Sequence, residues 1–296
     1  SDRRARSLLT AAVAGYLLLF QLLPSLGFAQ ERRVLPWPVI VRHWVDDNLE
    51  PGTILITPGP EHERWFDPFW GAIPHRKWFD WLVADIRDRP LQEWVDTHQV
   101  TWLAMPFWQQ QHLQQSPEGH ALLNQLLPLR AFVAPPARRE TEMVFYRLWR
   151  MQRETDLRFG ETLRLLGYDL HHEAPAPGGA QAFTFYWNAL EPPQQNYSLF
   201  LHLVPAQGTT PLAQRDGNPA LPQRLTQTWT HADETLISPR FTLPLPPDLP
   251  PGDYRVLLGL YDYETGARLP VQDELGRSFG DAWELTRLRI PPPSPP

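Results

Sequence analysis

The sequence predicts an α+β multidomain protein: one N-terminal transmembrane helix, a small layered α/β domain, and a C-terminal antiparallel β-sandwich. Three observations carry that prediction. An uncharged apolar stretch follows a cluster of arginines at the start of the chain. Helical segments and short apolar segments alternate up to about residue 150. Beyond that, short β-type runs recur between Pro, Gly, Asn and Asp. The expected boundaries are 1–29 for the span and its basic flank, 30–154 for the α/β domain, 155–290 for the sandwich and 291–296 for a Pro-rich tail.

The span comes first. Arg3, Arg4 and Arg6 precede residues 8–29, which carry no charge. A helix of about 20 residues rises about 30 Å, the thickness of a bilayer core. The arginines place the N-terminus in the cytoplasm and the rest of the chain outside it. A cleaved signal peptide is a rival reading, since Leu8 to Phe20 has the length of an h-region and Gly27-Phe28-Ala29 offers small residues for cleavage. A buried core helix is the third. Ser1 stands where an initiating Met is absent, and the chain is expected to be a piece of something longer.

In the α/β part, Pro38 opens a helix through "VIVRHWVDDNL", Pro51-Gly52 ends it, and "TILIT" (53–57) is a short strand. A helix at 91–98 and a strand at 100–105 follow. Ser116 is placed to cap a helix with Pro117 at its first position, running through "GHALLNQLL". Strands at 129–133 and 142–149 close the layer. No G-x-G-x-x-G or Walker loop follows any of these strands, so a nucleotide site has no support.

Ten of the 13 tryptophans fall within the first 150 residues. The stretch "ERWFDPFWGAIPHRKWFDW" (63–81) holds Trp65, Trp70, Trp78 and Trp81. These four are the candidate contacts for a glycan or for the membrane interface. Indole rings stack on the apolar face of a sugar, sit at the headgroup level of a bilayer, or fill a core; all three readings stand. Trp37 and Trp44, nearest the expected bilayer exit, are read as interface anchors.

The sandwich is expected from runs at 160–170, 182–190, 197–204, 211–215, 235–243, 253–262, 267–271 and 284–290. Phe183, Phe185 and Trp187 share one strand face by the two-residue period, as do Leu199, Leu201 and Leu203, with Phe200 and His202 opposite. In "PPGDYRVLLGLYDYETGARLPV" (250–271), Tyr254, Val256, Leu258 and Leu260 are expected to face the core. Glu264-Thr265-Gly266 is expected to turn the chain into a returning strand, making a β-hairpin. Asp216-Gly217-Asn218 reads as a turn. The 34 prolines, about twice ordinary usage, suit the rigid connections of such a domain.

Composition excludes several classes of chemistry. The net charge of -6 offers no basic footprint for nucleic acid. The absence of cysteine removes disulfides, thiolate nucleophiles and Cys-ligated zinc together. His171-His172-Glu173 is a poor metal site, because neighbours on a strand point to opposite faces. His43, His62, His75, His98, His112 and His120 are scattered and form no H-E-x-x-H. Asp46, Asp47, Glu61, Glu63, Asp67, Asp80 and Asp85 supply the carboxylates a glycoside hydrolase needs, but solvated surface carboxylates are the plainer reading. No G-x-S-x-G is present. No catalytic residue, metal ligand or cofactor is expected.

"DDNLEPGTILI", "EWVDTHQVTWLAMP" and "EMVFYRL" resemble the soluble segment after the last membrane helix of GT-C type polytopic glycosyltransferases, similar to protein mannosyltransferases and aminoarabinose transferases (family 39-like). "LRLLGYDL", "FTFYWNALEPPQQNYSLFLHLV" and "LPPGDYRVLLGLYDYETGARLPV" look like a β-sandwich appended to such proteins. The resemblance implies a parent enzyme that transfers sugar from a polyprenyl-phosphate donor outside the cytoplasm. Its catalytic carboxylate lies in a first extracytoplasmic loop that this chain does not contain. The expectation is therefore an extracytoplasmic accessory region at the cell membrane, with lipid and polyprenyl-phosphate sugar or glycan as partners. The alternative is a single-pass anchored protein whose sandwich binds glycan or cell-wall polymer; Trp187→Ala tests it, with Trp187 itself expected in the core. A secreted glycoside hydrolase is the third reading.

Overall fold

The computed structural model describes residues 37–50, 53–56, 75–77, 93, 97, 100–133, 143–171 and 175–292. The chain divides into two compact units, 1–43 and 44–296. The apolar stretch 8–29 lies outside the described residues, and among those that are described no helix is long and apolar enough to cross a membrane. Most of the described elements are antiparallel strands, with few helices.

The α/β layer begins with helix α1 (Trp37–Asn48) and builds one mixed sheet. Its strands are β1 (Thr53–Ile56), β2 (His75–Lys77), β3 (Val100–Pro106), β4 (Leu127–Phe132) and β5 (Met143–Arg147), in the order β2-β1-β3-β5-β4. β1 runs parallel to β2 and β3; β5 runs antiparallel to β3 and β4. Of the helix expected at 91–98, Glu93 and Thr97 are described, and both are helical. Between β3 and β4 lie α2 (Phe107–Leu113) and α3 (Pro117–Leu123). Ser116 caps α3 as expected: its hydroxyl accepts the Gly119 amide at 3.0 Å. That helix ends at Leu123, so Leu127 belongs to β4 and not to the helix. α2 is not foreseen by the sequence reading, because Pro106 precedes it and its N-terminus has no side-chain cap to signal it.

The remaining strands make a sandwich. They are β6 (Arg153–Phe159), β7 (Leu163–His171), β8 (Ala180–Ala189), β9 (Tyr197–Pro205), β10 (Ala213–Gly217), β11 (Leu236–Ile237), β12 (Phe241–Pro244), β13 (Gly252–Asp262), β14 (Val271–Asp273) and β15 (Trp283–Ile290). One sheet runs β10-β9-β13-β15. The other runs β11-β8-β7-β6-β14, with β12 also on β8. The inner faces close on a single hydrophobic core holding Phe183, Phe185, Trp187, Leu199, Leu201, Leu203, Val256, Leu258 and Leu260, all fully buried. The two-residue period predicts every one of these positions.

Four expectations are corrected. The hairpin at 250–271 is only a short start: Tyr261 bridges Arg268 and the Leu269 amide donates to Leu260, then the chain leaves the sheet. Pro270 has no amide to continue a ladder, and Val271 pairs with Phe159 in the opposite sheet, where it is buried. The segment 235–243 is two short strands separated by Pro239. Asp216-Gly217 ends strand β10 opposite Phe200 and Leu199, so these residues are strand and not turn. Trp44 is no interface anchor. It is buried at 4% exposure, edge-on to Phe132 at 5.4 Å and tilted against Phe145 at 5.1 Å.

The outer face of β8 is buried as well, and this ties the layer to the sandwich. Arg147 of β5 lies 4.2 Å over the Trp149 ring and 5.0 Å over Tyr186, and donates to Asp169 at 3.1 Å. Tyr186 also donates to Asp169, as does the Gln152 amide, so this buried carboxylate is fully used. Burial lowers the Arg147 guanidinium to about 10, and Asp169 pulls it back up. A second knot forms at Glu234, which is 0% exposed. It accepts from Trp44 Nε1 and, at 2.9 Å, from Arg224, with Arg130 at 3.7 Å.

On the outer face of the four-stranded sheet, the Phe200 ring packs closely against Gly259. A Cβ built at Gly259 meets Phe200 Cζ at 2.1 Å and the Asp281 carbonyl oxygen at 2.8 Å. Arg268 closes the ring from above at 4.5 Å. Gly259→Ala is expected to displace the ring and cost about 1–3 kcal/mol, as overpacking does. The midpoint of urea unfolding measures it.

Candidate functional site

The groove at the open side of the sandwich is the candidate site. It lies where β14, the edge of one sheet, approaches β15, the edge of the other. Its volume is about 310 Å³, at the lower end of the roughly 300–1,000 Å³ usual for ligand pockets. It is lined by Thr155, Asp156 and Leu157 of β6, by Asp273, Glu274, Leu275, Arg277 and Phe279 of β14 and the turn after it, and by Trp283 of β15.

The chain between β14 and β15 is built by one side chain. Asp273 Oδ1 accepts the amides of Leu275 at 3.0 Å and Arg277 at 2.9 Å, while Oδ2 accepts Arg277 Nε at 2.5 Å. Gly276 sits in the left-handed region at φ 76°, which lets the turn close. Gln272 bridges Ser278, and Val271 exchanges bonds with Phe279 and Gly280. The outcome is a small hairpin that holds Leu275 and Phe279 out in solvent, 75% and 42% exposed. Burial by itself raises the Asp273 carboxyl, but hydrogen bonds from Arg277 and its charge outweigh that and hold it below the ordinary carboxylate range.

The other groups are held as firmly. Leu157 is a buried apolar residue of the lining. Asp156 receives both Nε and an Nη of Arg164, at 2.7 Å and 2.5 Å, across the β6–β7 pair. Trp283 stands edge-on to Tyr168 at 6.3 Å, and Tyr168 donates its hydroxyl to the Leu285 carbonyl at 2.8 Å. This aromatic part of the lining is therefore preformed. A lining of apolar and aromatic residues with carboxylates among them suits a ligand with an apolar face and hydroxyls at its edge, such as a sugar ring.

The sequence candidates lie elsewhere. Trp65, Trp70, Trp78 and Trp81 are outside the described residues, as are Glu61, Glu63, Asp67, Asp80 and Asp85. Asp46 and Asp47 are exposed on α1. His112 and His120 are exposed on α2 and α3. His171 closes β7 and its Nε2 meets the Thr184 hydroxyl at 2.9 Å; His172 and Glu173 are outside the described residues. Among the described residues no group of three or more His, Cys, Asp or Glu is placed to hold a metal ion. Trp187 is fully buried in the sandwich core, where the sequence places it, and cannot touch a ligand. Phe200 and His202 do face away from that core, but Arg268, Gly259 and Tyr261 enclose Phe200. His202 is shifted below the usual histidine range by burial and by Arg268, with Asp216 and Asp281 opposing. Sequence reasoning misses Leu275, Phe279 and Trp283; the visible signal was "DELGRSFGDAW", two large apolar residues inside a glycine-rich turn.

No family model matches the chain, and no curated protein matches it. Among solved structures, the C-terminal domain of Wzt aligns with 48% of this chain and 81% of its own length, at 13% identity and a TM-score of 0.33. That likeness assigns neither family nor function. Nothing in these comparisons connects the chain to GT-C glycosyltransferases.

Proposed function

We propose that the protein is a glycan-binding β-sandwich whose sugar contact is the groove between β14 and β15. The observation that carries the proposal is the exposed Phe279 in one lining with Trp283 and the exposed Glu274 carboxylate. Phe279 is 42% exposed and lines the groove together with the exposed Leu275. Phe279→Ala is expected to weaken glycan binding at least about tenfold, or about 1.4 kcal/mol, with the fold unchanged. Glycan-array screening of the full chain, followed by calorimetry and circular dichroism of the variant, measures this. Unaltered affinity in the variant overturns the groove as the contact.

Location is part of the same proposal: the apolar segment 8–29 anchors the protein in a membrane and the sandwich stands outside the cytoplasm, where glycans are. A second reading makes the chain the accessory region of a membrane glycosyltransferase using a polyprenyl-phosphate donor. It rests on the sequence resemblance and on the ion pairs Arg147–Asp169 and Arg130–Glu234, which join layer and sandwich into one folded unit. Several apolar spans encoded upstream of Ser1 support it; their absence removes it.

A further inference from the structure

We infer that the groove selects by charge: it takes an uncharged sugar and rejects anionic ones such as uronates, and Glu274 sets the preference. This rests on the glycan-binding reading. Of the three carboxylates in the lining, two are committed. Asp156 is held by both nitrogens of Arg164, and Asp273 by its own turn and by Arg277. The guanidinium in the lining, Arg277, gives its Nε to Asp273, so its charge is balanced within the turn. Glu274 follows Asp273 in the chain and is exposed in the same lining. Among the described residues no hydrogen bond or ion pair reaches it.

The groove therefore carries one negative charge in excess. A carboxylate accepts sugar hydroxyls through charge-assisted hydrogen bonds. The same carboxylate repels an acidic sugar, and the walls of a groove weaken solvent screening of that repulsion. Glu274 is also replaceable without harm to the turn, because the bonds that shape it come from Asp273.

The test is calorimetric titration of the full chain with neutral hexose oligosaccharides and with hexuronate oligomers of matched length, at low and physiological salt. The wild type is expected to favour the neutral series at least about tenfold, less so as salt rises. Glu274→Gln is expected to narrow that ratio severalfold, and Glu274→Lys to bring the two series to parity or invert them. An unchanged ratio in Glu274→Lys, with neutral binding still lost in Phe279→Ala, overturns the charge selection and leaves the groove as the glycan contact. No binding of either series by the wild type overturns the glycan reading and the selection with it.

Discussion

Replacing Glu234 by alanine is expected to destabilise the protein by about 3–5 kcal/mol, the cost of removing one partner from a buried ion cluster. Its carboxylate is fully buried and receives the Trp44 indole and the Arg224 guanidinium, with Arg130 close by. Arg224 and Arg130 side chains are only 11% and 13% exposed, so alanine leaves two cations with little water, and of the carboxylates acting on Arg130 only Asp233 remains. Burial already lowers the Arg130 pKa, and Glu234 is the largest influence opposing that shift. Nearby backbone links add to the effect: the Thr235 amide donates to the Leu129 carbonyl at 2.7 Å, joining β4 to the sandwich loop. Urea unfolding followed by tryptophan fluorescence measures the loss. Glu234→Gln keeps the shape and an acceptor for Trp44 but not the charge, so it is expected to fall between wild type and alanine. A cost below about 1 kcal/mol for the alanine variant would mean that water reaches both guanidiniums and that the knot does not hold layer to sandwich.

The expected sandwich is legible because its signal is local. A two-residue period in "FTFYW" and "SLFLHLV" names the inward side chains, and burial against the opposite sheet is what that period exists to achieve. What the sequence hides is non-local. Thr184 and Tyr186 sit on the outer face of β8, where solvent is the default expectation, yet both are buried, Tyr186 beneath Arg147 of the α/β layer and Thr184 against His171. β6 escapes notice since "RETDLRF" shows charges on most positions and its apolar residues Leu157 and Phe159 find partners in β7 and β14, one nearby and one at the far end of the domain. The turn at Glu264-Thr265-Gly266 is correctly seen, but a turn signal cannot say that Val271 belongs to the other sheet. The groove is less legible still. It joins β6, the turn after β14 and the first residue of β15, and no spacing rule links those three segments.

Trp187→Ala is expected to cost about 3–5 kcal/mol, the range for a large aromatic removed from a close-packed core. Trp187 is 0% exposed and contacts Phe159 edge-on at 5.4 Å and Phe185 at 6.3 Å, so its removal opens a cavity between the two sheets. A fold this far from solvent cannot fill the space with water without wetting an apolar lining. Its indole Nε1 also has no acceptor among the described residues, an uncommon state for a buried donor. The orphan donor predicts an asymmetry between variants. Trp187→Phe gives up part of the ring volume but also removes an unsatisfied N–H, and is expected to cost about 1–2 kcal/mol, well below alanine. Denaturation midpoints of the two variants, compared with wild type under the same conditions, measure the gap. Equal costs for Phe and Ala would show that the indole N–H is bonded and that its polar contact, not the ring, sustains the core at this point. A folded Trp187→Ala chain that has lost only glycan affinity would return Trp187 to the surface and dissolve the case for the groove at the sheet edge.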